Sequence, residues 1–218
     1  MLSQRIEQLE HTVRALRKEF SECKKNLVKL QKTAEYDFLT GIYNRHGFTR
    51  EVSRFFAEME SERNHRGNRR LAIVNSVSLI FVDVDDLKRV NDTLGHKEGD
   101  RYLCLIAKAL SQSVRSSVDV VGRWGGDEFV IALINVSAKE MMRIAEKLKR
   151  RIGKISLTSR TDFNFVCSAS FGLIFVDGSR QHPNYGLHEL IEKADKAMYG
   201  AKATQGKGAI VSFSEITE

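Results

Sequence analysis

Ten apolar side chains, Leu2, Ile6, Leu9, Val13, Leu16, Phe20, Cys23, Leu27, Leu30 and Ala34, succeed one another at steps of four and three without a break. A 3.5-residue period sustained this long is a narrow seam on one straight helix, with Ile6, Val13, Phe20 and Leu27 at a and Leu9, Leu16, Cys23 and Leu30 at d. Such a helix is about 50 Å long, too long for an ordinary surface helix of a small domain. Leucine at most d positions and β-branched residues at two a positions favour a parallel two-stranded coil. The alternative is one amphipathic helix lying on the chain's own core. The spacing predicts a coiled-coil dimerisation helix over 1–35 and a second, catalytic unit over 36–218. The first residues read as the middle of a helix, so an upstream sensor domain is an expected partner.

With 42% hydrophobic residues in 218 and a single proline, the chain can bury one sizeable core beyond that helix. Lys and Arg outnumber Asp and Glu by 35 to 28, a formal charge of +7 compatible with phosphorylated ligands or with a solvated basic surface. The basic run RNHRGNRR (63–70) has no interleaved aromatics and reads as an exposed connector, so nucleic acid is not an expected partner. Three isolated cysteines suggest neither a disulfide framework nor a zinc site and fit a reducing cytoplasm. No stretch reaches the ~18 apolar residues of a membrane-spanning helix, so no membrane contact is expected from this chain.

After residue 36 the heptads give way to mixed elements. A turn at LTGIYN leads to a helix with Phe48, Val52, Phe55, Phe56 and Met59 on one face. SVSLIFVDVDD (76–86) reads as a buried strand ending in acids, followed by a helix through LKRVND, a glycine turn at Gly95 and a second helix. VDVVGRW and EFVIALI read as a hairpin around Gly125 and Gly126, and FNFVCSASFGLIFV contains a strand between two further helices. Helices alternating with strands, one tight hairpin among them, predict an α+β fold with a mixed central sheet of about five strands flanked by helices.

The acids carry the chemistry. Alternation along a strand puts Asp83 and Asp85 on one face and Val84 on the other. A carboxylate at the end of an apolar strand is costly unless a cation or hydrogen bonds compensate it. If the hairpin lies beside that strand, Asp127 or Glu128 converges with Asp83, and their repulsion calls for a divalent metal. Hard oxygen ligands suit magnesium, with manganese as the second choice; magnesium takes few carboxylates and completes its shell from water and phosphates. Gly125 and Gly126 allow a positive-φ turn and also a close ligand approach; a plain hairpin turn with solvated acids is the competing reading. Asn91 and Asp100 offer the donor and acceptor pattern that matches a guanine edge, with helix capping competing for Asn91, Asp92 and Gly95.

The ordered stretches DFLTGIYNRHGF (37–48), DVDDLKRVNDTLGHKEGD (83–100), GRWGGDEF (122–129), SFG (170–172) and ADKAMYGAK (194–202) resemble the GGDEF-domain diguanylate cyclases. The resemblance implies a palm-like fold similar to nucleotide cyclases and polymerases, and condensation of two GTP into cyclic di-GMP with release of pyrophosphate. It implies that Asp83, the carbonyl of Val84 and Asp127 hold magnesium, with Glu128 as a further ligand. Asp127 is implied as the base for the attacking 3′-hydroxyl, Asn91 and Asp100 as the guanine site, and Lys88 and Lys202 as residues facing the triphosphate. Each domain would hold one GTP, so the coiled coil would bring two half-sites together. Lys207 stands where an arginine is common, in a segment one residue longer than usual. SSVD (116–119) puts Ser116 at the arginine position of the family's product-feedback motif, with Arg115 one place early, so the resemblance does not extend to feedback there. Asp100 separates the chain from variants that join GTP to ATP. The reading of a different kind is an inactive domain that binds GTP or cyclic di-GMP.

Overall fold

The structure is a computed structural model that describes residues 2–64, 74–158, 164–178 and 186–213. Residues 65–70 of the expected connector and the middle of the loop at 177–186 lie outside the described residues. The elements in order are α1 (Leu2–Glu35), β1 (Tyr43–Asn44), α2 (Arg45–Asn64), β2 (Ser76–Val84), α3 (Leu87–Leu94) and α4 (His96–Ser111). There follow β3 (Val120–Gly125), β4 (Glu128–Ile134), α5 (Ala138–Ile152), β5 (Ser156–Thr158), β6 (Asn164–Val166), β7 (Ala169–Asp177), α6 (Leu187–Gln205) and β8 (Ile210–Ser212).

Six strands form one mixed sheet in the order β1-β3-β4-β2-β7-β8, parallel at its two outer pairs and antiparallel within. This is the expected α+β fold, with one strand more than expected because the two residues of β1 pair with β3 inside what reads as a turn. A separate β5–β6 hairpin has no signal beyond three-residue runs.

Period-two alternation sorts the sheet's side chains between two cores. Ile80, Val82 and Val84 of β2 meet Tyr102, Ile106 and Leu110 of α4 and Ala145 and Leu148 of α5. Leu79 and Phe81 meet Phe48 and Val52 of α2 and Leu190, Ala194 and Met198 of α6. Asp83 continues the Leu79–Phe81 series, so the strand delivers its carboxylate on the α2/α6 side. Glu128 continues the series of Val130 and Ala132 and arrives on the same side.

The close seat of α6 depends on Gly172 of β7, where a Cβ would overlap the carbonyl oxygen of Ala194 and approach the Met198 nitrogen to 2.8 Å. Helix α5 starts on a capping box, Ser137 and Glu140 each bonding the other's backbone N–H, and ends among Lys149, Arg150 and Arg151, which suit a helix C-terminus.

The seam of α1 is not covered by the domain: Phe20 is 72% exposed, Leu30 69% and Leu9 60%. That excludes the helix lying on its own core. Its last turn is nonetheless anchored. Glu35 is buried and pairs with Arg50, Asn44 donates to the carbonyl of Ala34 at 2.9 Å, and Tyr36 stacks on Tyr43 with ring centroids 4.7 Å apart. Among the described residues no helix is long and apolar enough to cross a membrane, and Cys23, Cys104 and Cys167 are free thiols.

Gly172→Ala should destabilise the fold by about 2–3 kcal/mol, as overpacking against backbone does. Denaturant unfolding measures it, and an unchanged midpoint would show that α6 does not sit as closely as described.

Candidate active site

Pairing β2 with β4 sets Asp83 directly opposite Glu128. The residue between the hairpin glycines and Glu128 is Asp127, whose carbonyl accepts from the Val84 N–H at 3.0 Å. The sheet register therefore brings three acids from two segments to one end of β2. Burial, with Asp127 and Asp85, pushes the Asp83 carboxyl above its ordinary range against the lowering effect of Lys202. Burial and the charges of Asp195, Asp83 and Asp127 likewise raise Glu128, with Arg45 acting the other way.

The compensating cation comes from the far end of the chain. Lys202, near the C-terminus of α6, donates to Asp83 and lies 3.4 Å from Asp85. Burial works against its charge, but the two acids hold the ammonium above the ordinary lysine range. Asp85 itself is 2% exposed and accepts from the hydroxyls of Ser168 at 2.9 Å and Ser170 at 3.0 Å, and from the Gly208 N–H at 3.1 Å. It ties the start of β7 and the turn after α6 to the lysine. Lys207, flanked by the positive-φ residues Gly206 and Gly208, reaches Asp86 at 2.6 Å. Asp86 is itself left-handed, with φ 62°.

Other expected site residues stand as follows. Lys88 is exposed near the start of α3. Asn91 of α3 is half-buried and Asp100 of α4 is exposed, on either side of the α3–α4 corner, where a Cβ on Gly99 would overlap the Asn91 carboxamide oxygen. Gly95 makes that corner with φ 85°. Gly125 and Gly126 differ from expectation, since neither has a positive φ. The hairpin turns through a register shift between Arg123 and Gly125 instead, so no left-handed residue is required. Nothing crowds Gly126 either, since a Cβ there would meet nothing within 4 Å and the position stands open to solvent.

Arg123 has a part that the sequence does not announce. Its guanidinium donates to the Gly126 carbonyl at 2.7 and 3.0 Å and to the Asp37 carboxylate at 3.2 and 3.3 Å. Asp37 follows the last turn of α1 by two residues, so one side chain joins the end of the long helix to the turn carrying Asp127. Asp119 is also committed: Arg115 grips it at 2.6 and 3.0 Å, and the Ile134 N–H donates to it at 3.1 Å. That carboxylate is a structural brace.

Among the described residues no three acidic, histidine or cysteine groups surround a single point at ligand distance, and Asp83 faces Lys202. The donor set still fits a hard divalent cation. Asp83, Asp127 and Glu128 repel one another at one sheet end, and an ion that takes few carboxylates would relieve that repulsion.

Fold and site together define an α+β domain with an acid-ended central strand and a lysine brought back across it. The family model described as "Diguanylate cyclase, GGDEF domain" matches residues 34–208, and the chain belongs to that family. It is 36% identical over 166 residues to the diguanylate cyclase DosC of Escherichia coli, covering 76% of this chain and 32% of that one. With the diguanylate cyclase VdcA of Vibrio cholerae it shares 33% over 197 residues, 89% of this chain and 52% of the relative. The chain thus spans about a third to a half of the length of these curated relatives. The coiled coil and GGDEF domain of DgcB from Caulobacter crescentus, solved with c-di-GMP, superposes with TM-score 0.79 at 23% identity over 94% of this chain and 98% of that one. SiaD of Pseudomonas aeruginosa, in complex with its activator SiaC, gives 0.68 at 26% over 96% and 73%.

Lys202→Met should cost about 2–3 kcal/mol at neutral pH, because Asp83 and Asp85 lose their counter-charge. The Asp83 part of that penalty should shrink as pH falls through its raised pKa, since a protonated Asp83 needs no cation. Thermal unfolding across pH measures both, and a penalty independent of pH would detach Lys202 from Asp83.

Proposed function

We propose that this chain is the catalytic and dimerising part of a diguanylate cyclase working in the cytoplasm. It would join two GTP into 3′,5′-linked cyclic di-GMP and release two pyrophosphates, with one GTP on each copy of a homodimer. The observation that carries this reading is the β2–β4 register, which sets Asp83 opposite Glu128 and beside Asp127 at the sheet end reached by Lys202.

In each half-reaction the 3′-oxygen of one GTP bonds the α-phosphorus of the other. The bond from that phosphorus to the β-phosphate bridging oxygen breaks, and pyrophosphate leaves. Asp127 would take the 3′-hydroxyl proton, and the Val84–Asp127 and Arg123–Gly126 hydrogen bonds, which hold the backbone on either side of it, support that reading. Asp83, Glu128, Asp127 and the Val84 carbonyl would hold magnesium, or manganese in its stead, which neutralises charge on the phosphate oxygens when bound. Lys202 would turn part of its charge from Asp83 to the triphosphate, with Asp85 remaining as its partner; Lys88 and Lys207 stand near enough in the chain to assist. Asn91 and Asp100 would read guanine. The protein's contribution is chiefly positioning.

Residues 1–35 would pair two copies through the exposed seam and so raise the effective concentration of one half-site near the other. An upstream sensor acting on the coil fits this arrangement. Residues 36–218 would be the catalytic unit.

Purified chain with GTP and Mg²⁺ should yield cyclic di-GMP by chromatography, and Asp127→Asn should lose turnover while staying dimeric. Absence of product from folded dimer would overturn the cyclase reading, and full activity of Asp127→Asn would remove that residue from the chemistry. Phe20→Glu should weaken dimerisation in sedimentation and lower the rate in a protein dilution series. A rate unchanged at low concentration would show that the coil does not pair the sites.

A further inference from the structure

Helix α6 carries one large side chain that nothing in the site has used. Tyr199 is 74% exposed, although Ala197 and Met198 beside it are buried against the sheet. A single exposed ring is ordinary on a protein surface; the position of this one is not. At about 100° per residue, Asp195, Tyr199 and Lys202 fall within about 60° of one another on the helix, with Tyr199 between the other two along the axis. Both neighbours serve the catalytic acids. Lys202 donates to Asp83, and the charge of Asp195 is felt at Glu128. Tyr199 therefore stands on the rim of the acid end, facing solvent.

The fold says which part of a substrate can reach that rim. Asn91 and Asp100 lie on the α3–α4 corner, which packs on one face of the sheet, whereas α6 packs on the other. On the cyclase reading, a guanine held at Asn91 and Asp100 would sit on the α4 side with its triphosphate directed toward Lys202, which leaves Tyr199 on the α6 side out of reach of that base. A group meeting Tyr199 would then come from outside the copy. An exposed aromatic face with a hydroxyl edge suits the planar base and sugar of a nucleoside.

Resting on the cyclase reading, we infer that Tyr199 receives the nucleoside of the second GTP, the one held by the opposing copy, and orients its 3′-hydroxyl toward the α-phosphorus at Lys202. It is a positioning residue for the encounter of two loaded domains and takes no part in binding its own copy's GTP.

The test uses the full chain with Tyr199→Ala and Tyr199→Phe. Affinity for 3′-deoxy-GTP with Mg²⁺, which binds but lacks the attacking hydroxyl, should stay within about twofold in both variants, while turnover of GTP falls about tenfold in Tyr199→Ala, the size of one lost stacking contact. Tyr199→Phe should recover most of the rate. Unchanged turnover in Tyr199→Ala overturns the inference, as does an affinity that falls in step with turnover. A readout independent of activity comes from p-benzoylphenylalanine in place of Tyr199, irradiated with 3′-deoxy-GTP and Mg²⁺. Covalent adducts of the nucleotide at position 199 are expected in the dimer, and adducts equally abundant in a chain kept monomeric by Phe20→Glu overturn it. A wild-type chain that makes no product contradicts the cyclase reading by itself, whereas loss confined to the Tyr199 measurements leaves that reading standing.

Discussion

The arrangement of the molecule turns on unlike charges at the end of one apolar strand. Strand β2 is buried along nearly its whole length and carries Asp83 one residue before its end, where the dielectric no longer shelters a carboxylate as water does. Its neighbour β4 starts with Glu128, directly across the ladder, which compounds the cost. The chain meets that cost with a lysine 119 residues away, and bringing Lys202 there requires α6 to lie close on the sheet. Gly172 permits that approach and Asp85 completes it by holding the Gly208 turn. Packing on one face of the sheet and electrostatics at its end are thus the same structural problem.

Much of this is legible in the sequence because it is local. The heptad steps of α1, the apolar run of β2 and the acids at its end each lie within a few residues, and the period of the pattern gives the element. The convergence of Asp83 with Glu128 follows once the hairpin is placed beside β2. What escapes is set by partners distant in the chain. Nothing near Asp85 signals that Ser168, Ser170 and Gly208 will saturate it, and nothing near Arg123 points to Asp37, 86 positions earlier. The glycine pair shows a different failure. A Gly-Gly hairpin suggests left-handed residues, but the shifted register between Arg123 and Gly125 turns the chain without them. The two residues of β1 are too few for periodicity to exist.

The two carboxylates that frame the site respond to acid in opposite ways. Burial by itself would raise Asp37, but hydrogen bonds from the Thr40 hydroxyl and amide, together with Arg123, outweigh it and hold the group below its ordinary range. Its stabilising effect is therefore complete above the pH where an unfolded aspartate titrates and is lost as pH falls through the lower folded value. Asp83 is raised, so its ionised form burdens the folded state and protonation relieves it. The joint between helix and domain keeps its charge to lower pH than the acid end does.

That division explains why Arg123 sits where it does. A turn whose only tether was the β3–β4 ladder would leave Asp127 free to move with the exposed Gly126. The guanidinium removes that freedom by taking the Gly126 carbonyl, and it does so from a point fixed to Asp37 and hence to the last turn of α1. The Glu35–Arg50 pair, the Asn44–Ala34 hydrogen bond and the Tyr36–Tyr43 stack prevent that last turn from swivelling alone. A rotation of the long helix must then either carry the whole domain with it or strain a path that ends at the peptide preceding Asp127. In a paired coil the first outcome turns two domains relative to each other, and the second displaces the acid within each. Either way, the geometry of the helix seam and the geometry of the acid end are not independent variables.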